Sequence, residues 1–310
     1  MSPVRWRRVR LVGGAGLLAL LLWRVGTGPF LDGVRTVDPG TLAVGAGLAL
    51  ATTVCCAWRW TLVARGLGAA LPLRSAVAAY YRSQLLNTVL PAGVVGDVDR
   101  GVRHGLSAVV VERAAGQVVQ VVAALVVLFL VPSPLRSTLP ALVTAAAFVV
   151  LAAVVLVRAR PGGGESAGAR ALRHVRRTVR DGLLPAWPGV GLASLLAVAG
   201  HVATFEVSAR VVGATASPVA LLPLSLLVLL AMAVPFNVAG WGPREGVAAW
   251  AFGAAGLGAA QGVSAAVVYG LVVLVASLPG ALVLAFDWLR RPPAGEAAVP
   301  AAVTRVAVHG

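Results

Sequence analysis

Three arginines stand where this chain is polar or interrupted: Arg82, Arg100 and Arg244. A guanidinium offers a planar fork of donors that meets two phosphate oxygens at once. Asp97 precedes Arg100 by three residues, and Glu245 follows Arg244 directly. Such carboxylates orient the arginines and compensate their charge in an empty site. Asn87 and Asn237 are suited to satisfying unwound backbone or bonding headgroup hydroxyls. The chemistry implied is anion binding, with no catalytic group. The plainer reading is that Arg100 and Arg103 only obey the positive-inside rule.

A second set of ionisable groups lies within apolar stretches: Glu112, His201 and Glu206. Ionisable residues at membrane depth are costly and usually face the bundle interior. These three are candidates for proton coupling. Glu206 and Arg210 are spaced for a helical i,i+4 ion pair, which would neutralise them structurally. Glu112, near its helix start, also reads as interfacial, and His201 as a packing residue. Asp97 and Asp99 form the one close acidic pair that a magnesium-dependent lipid-phosphate enzyme would need. No Cys/His spacing suggests a metal, and adjacent Cys55 and Cys56 read as small packing residues. No cofactor is expected.

The elements that must hold these groups are membrane helices. The chain has 310 residues, 59% of them hydrophobic and 12% charged, with net charge +15. An ordinary globular domain carries about 25% charged residues. Mean hydropathy is +0.89. A soluble fold cannot bury that much apolar surface. Every one of the 26 basic residues is Arg. They cluster in loops and ends, where they set orientation and meet anionic headgroups, so no nucleic-acid partner is expected.

The fold expected is all-α, a polytopic transmembrane bundle of about seven or eight spans. Seven stretches read as spans: Leu11–Trp23, Thr41–Ala64, Ser107–Val131, Thr138–Val157, Val190–Val212, Pro218–Val234 and Gln261–Trp288. Leu73–Leu90 and Val247–Leu257 read as short or re-entrant pieces. Trp58, Arg59, Trp60 and Arg65 read as an interfacial belt at the end of the second span. The hydrophilic stretch 158–186 carries seven arginines against Glu165 and Asp181 and reads as a cytoplasmic loop holding an interfacial helix. It would join halves 1–157 and 187–291 of one transmembrane domain. Residues 292–310 read as a disordered tail. The protein is expected in the plasma membrane, with both termini cytoplasmic.

The halves echo each other. Pro91 and Gly96 are five residues apart, as are Pro235 and Gly240, and charge follows each pair. Pro removes a backbone donor and Gly permits non-helical angles, so both segments, with Trp241 and Gly242, read as structural hinges. Paired Gly/Pro interruptions in two halves point to a transporter's binding site. Helix N-termini freed there favour anions such as phosphate.

The run Asn87, Leu90-Pro91, Gly96-Asp97, Arg100 resembles one signature of the lysylphosphatidylglycerol synthase transmembrane-region family. Gly240-Trp241-Gly242 with Arg244-Glu245 resembles its second signature. The resemblance spans roughly Arg5 to Arg291. It implies a flippase-like membrane protein whose partners are anionic lipids. In the best-known members this region is fused to an aminoacyl-transferase domain. This chain ends about twenty residues after its last expected span, so lysyl-lipid synthesis is not expected of it. The function expected is transport of an anionic phospholipid or a lipid-linked sugar phosphate, without enzymatic activity. A scaffold for an envelope-biosynthesis enzyme is the first alternative and a lipid-phosphate enzyme the second.

Overall fold

The computed structural model describes residues 19, 22, 23, 26–89, 97, 99, 100, 106–144, 167–233 and 241–289. The hinge positions Pro91, Gly96, Pro235 and Gly240, with Asn237, lie outside these residues. So do most of the Leu11–Trp23 and Thr138–Val157 stretches, Arg290, Arg291 and the tail.

The described residues are helical and contain no β-strand. Helix α1, Gly28–Thr36, was not anticipated and is only nine residues long. It is followed by α2 (Pro39–Gly66), α3 (Leu73–Val89), α4 (Leu106–Leu130) and a 3₁₀ turn at Pro134–Thr138. The basic helix α5 (Ala167–Arg177) continues as a π-helical turn, Thr178–Leu183. Then come α6 (Trp187–Val211), α7 (Pro218–Ala231), α8 (Pro243–Ala254), α9 (Ala259–Ser277) and α10 (Pro279–Leu289).

Four stretches are long and apolar enough to cross a membrane: Pro39–Gly66, Ala108–Leu130, Trp187–Val211 and Ala259–Leu289. At 1.5 Å per residue, the 28 residues of α2 extend about 42 Å, more than the ~30 Å hydrocarbon core. By the same rise α7, with 14 residues, extends only about 21 Å. It is apolar all round and buried on most sides, as an interior helix must be. The expected span over 261–288 lies within the stretch Ala259–Leu289, where a single turn residue, Leu278, separates α9 from α10 and Pro279 starts the latter.

Helix ends follow their sequences. Asp38 caps α2: one carboxylate oxygen accepts from the Thr41 N–H at 3.0 Å and the other from its hydroxyl at 2.6 Å. Helix α8 begins at Pro243, four residues before the expected start. Gly242 precedes it at φ +126°, a conformation side chains rarely adopt, and Glu245 folds back onto the Gly242 N–H at 2.7 Å.

Glycine lets the helices approach closely, as membrane bundles require. Helix α2 runs antiparallel to α3 and to α6: Thr53 faces Gln84 and Trp60 faces Tyr80 across the first pair. Across the second, Gly200 faces Thr52 and Gly189 faces Leu62. Gly280 packs on the Tyr81 carbonyl and Leu85, seating α10 antiparallel along α3. The largest apolar core lies between α6, α7, α8 and α9, around Phe205, Leu224, Phe252 and Tyr269.

Candidate functional site

Glu112 on α4 is fully buried and is met by Arg59 of α2. Arg59 Nε donates to Glu112 Oε1 at 2.7 Å, and Nη2 reaches the same oxygen. Its Nη1 donates to Ser194 Oγ on α6 at 3.1 Å. One ion pair thus joins three helices. The notch that admits the guanidinium is Gly116, one turn beyond Glu112, since any Cβ there would collide with it. This corrects the interfacial reading of Arg59 and Trp60: both are buried. A buried carboxylate is strongly disfavoured without a cation, and Arg59 supplies one from the neighbouring span.

Around that pair the charges alternate. Arg100 Nη2 lies 3.2 Å from Glu112 Oε2 and 3.2 Å from Asp97 Oδ1. Asp97 also accepts from Arg113 Nη2 at 2.7 Å, Ser83 Oγ at 3.0 Å and Asn87 Nδ2 at 3.1 Å. Arg82 bonds Asp99 through Nη2 at 2.9 Å and Asp287 of α10 through Nη1 at 2.6 Å. The four arginines 59, 82, 100 and 113 are balanced by Asp97, Asp99, Glu112 and Asp287. Asp97 and Asp99 turn their oxygens to arginines, and no cluster of three His, Cys, Asp or Glu suited to a metal occurs among the described residues.

Arg100 is 1% exposed and stacks over Tyr80, 4.0 Å from its ring centre, with Trp60 at 4.9 Å. Its Nε and Nη1 are buried and have no hydrogen-bond acceptor among the described residues. A buried donor without a partner carries a desolvation penalty that an incoming acceptor removes.

Arg100 also lines a cleft of about 570 Å³ between α3 and α10. Its lining is mixed: Arg82, Asp99 and Asp287 are charged, and Ala78, Ala79, Leu282, Val283 and Phe286 are apolar. Leu282 is 74% exposed and Phe286 52%, so these apolar side chains also reach the outer surface of the bundle.

A second charged centre lies under α8. Arg244 Nε donates to Glu245 Oε1 at 2.9 Å, and both residues are buried. The guanidinium lies 5.2 Å from the Trp241 ring centre and 5.5 Å from that of Tyr269. Gly270 of α9 leaves the room it occupies. The Tyr269 hydroxyl lies 3.0 Å from His201 Nδ1. His201 and Ser194 are seven residues apart on one face of α6, so that face touches both centres, about 10 Å apart along the axis.

The structure therefore brings Arg82, Asn87, Asp97, Arg100 and Glu112 together. It places Arg244, Glu245, Trp241, Gly242 and His201 in the second centre, and Arg244 does not line the cleft. The anion position at the start of α8 is taken by the chain's own Glu245. Glu206 forms no ion pair with Arg210 among the described residues; Arg210 Nη1 bonds the Ala214 carbonyl at 2.7 Å instead, closing the end of α6. Sequence reasoning missed Arg59, Arg113, Tyr80 and Asp287. The signal for Arg59 was available: Glu112 inside a span demands a cation, and Arg59 was the arginine of the neighbouring span.

An all-helical bundle with apolar spans and a buried lattice of arginines and carboxylates is an integral membrane protein. The family model for the lysylphosphatidylglycerol synthase TM region matches residues 8–280, and the chain belongs to that family. No curated protein sequence matches it.

Proposed function

We propose that the cleft between α3 and α10 binds the phosphate of a lipid headgroup and that the protein moves this lipid between leaflets. The observation that carries the reading is Arg100, whose buried Nε and Nη1 lack an acceptor among the described residues, in the lining of a cleft that is partly apolar. The phosphate would take those donors together with Arg82, while an acyl chain lies along Leu282 and Phe286. An anionic phospholipid and a lipid-linked sugar phosphate share that chemistry.

The finer topology belongs to the same reading: seven or eight crossings, with both termini and segment 158–186 cytoplasmic. A long helix followed by a short one occurs twice, as α2–α3 and α6–α7, which supports two related halves. His201, bonded to Tyr269 in the second centre, is the proton carrier of this scheme; Glu112, held by two arginines, and Glu206 are its alternates.

The test is movement of fluorescent phosphatidylglycerol across proteoliposomes, alongside a polyprenyl phosphate probe. Arg82→Gln and Arg100→Lys should each slow the preferred probe about tenfold, the effect of losing a charge-assisted hydrogen bond. Unchanged movement of both probes would overturn the reading.

A further inference from the structure

Three of the four arginines of α5 face outward. Arg170, Arg173, His174 and Arg177 fall at helical spacing on one face and are exposed. Exposed Arg180 continues the strip into the π turn. Asp181 is the one acid in residues 167–187, and it reaches Arg177 at 3.6 Å with both side chains largely in solvent. The strip keeps a surplus of positive charge.

Two contacts fix its height along the bundle. Gly66, the last residue of the α2 span, packs on the π turn so tightly that a Cβ would lie 2.5 Å from the Asp181 carbonyl oxygen. A Cβ on Gly182 would lie 3.0 Å from the Val63 carbonyl. The turn is thus seated on the end of one span. The next span begins at Trp187, four residues beyond the turn. Where two spans end together, hydrocarbon gives way to headgroups. At that level Leu184 is 56% and Trp187 67% exposed. An exposed tryptophan beside a basic amphipathic helix is the pattern of an interfacial anchor.

We propose that α5, the π turn and the start of α6 form a docking surface for anionic phospholipid headgroups of the leaflet at that end. This surface is separate from the α3–α10 cleft and does not depend on the transport reading. Charge selects anionic lipid, because each arginine near such a surface adds about fivefold to the partition. The exposed Leu184 and Trp187 favour lipid over an acidic protein segment, which would answer the arginines but not apolar side chains at the membrane interface. The glycine contacts make the surface rigid, so the headgroups meet a preformed strip.

The experiment is hydrogen exchange of residues 167–187 in the full chain, held in nanodiscs of phosphatidylcholine alone or mixed with phosphatidylglycerol. Exchange should be at least threefold slower in the anionic discs. That slowing should vanish in about 1 M salt, where the Debye length is about 3 Å. It should also vanish in the variant R170Q/R173Q/R177Q, whose exposed substitutions leave the fold intact; an unchanged melting temperature verifies this. Equal exchange in both discs, or slowing that persists in the variant, would overturn the proposal. Slowing only on addition of an acidic peptide would overturn it too, and would give the strip to a protein partner.

Discussion

The two buried arginine–glutamate pairs are built in opposite ways. Arg244 and Glu245 are neighbours in sequence, and their carboxylate also closes the first turn of α8. That centre is local, and Trp241 and Tyr269 lie over its cation. Arg59 and Glu112 are 53 residues apart and exist as a pair only when α2 and α4 have packed. Glu112 also answers Arg100, a residue of the cleft lining. The difference teaches that a charge pair within one turn stabilises an element, whereas one across helices can hold a neighbouring arginine ready for a ligand.

The largest effect expected is from Glu112→Gln. It leaves Arg59 and Arg100 uncompensated, at about 3–5 kcal/mol, the range for breaking a buried pair. Glu245→Gln leaves one cation, which aromatic faces still shelter, and should cost less. Thermal unfolding in nanodiscs ranks the two; equal or reversed losses would break the comparison.

Gly280→Ala comes next. Its Cβ would strike the Tyr81 carbonyl and lift α10 from α3, costing about 1–3 kcal/mol as overpacking does. Lipid retention should fall with it, because α10 lines the cleft. Retention unchanged at reduced stability would move the ligand elsewhere.

Asp287→Asn is expected to be mild for folding, since the Asp287 side chain is 37% exposed. It frees Arg82 Nη1 for an incoming phosphate. Lipid retention should rise, because Asp287 no longer competes with the phosphate for the guanidinium. A fall would make Asp287 part of the ligand site instead of its competitor. The smallest effect is Arg177→Ala, which removes an exposed pair at 3.6 Å and should shift stability by no more than about 0.5 kcal/mol.

Much of the bundle was legible in the sequence. Hydropathy alone locates α2, α4 and α6 within a few residues, because a membrane demands long apolar helices and little else is compatible with them. The helix α3 was legible by the same periodicity, and Arg82, Asp97 and Arg100 by their chemistry at an interruption. Arg59 was misread because arginine beside two tryptophans is also how an interfacial belt looks; only the position of Glu112 in space separates the two. Asp287 was invisible because its partner is 205 residues away. The start of α8 was placed late because Gly and Pro before it suggested a loop. In the structure Gly242 supplies the turn, Pro243 the first helical position, and Glu245 the cap.

Native mass spectrometry of the full chain from phosphatidylglycerol-rich membranes tests the central claim most directly. Wild type would be compared with the Arg82→Gln/Arg100→Lys double variant and with Arg244→Lys, each first shown to melt within a few degrees of wild type. The account predicts a bound phosphate-bearing lipid on wild type and on Arg244→Lys, and none on the double variant. Equal lipid retention by all three would contradict it.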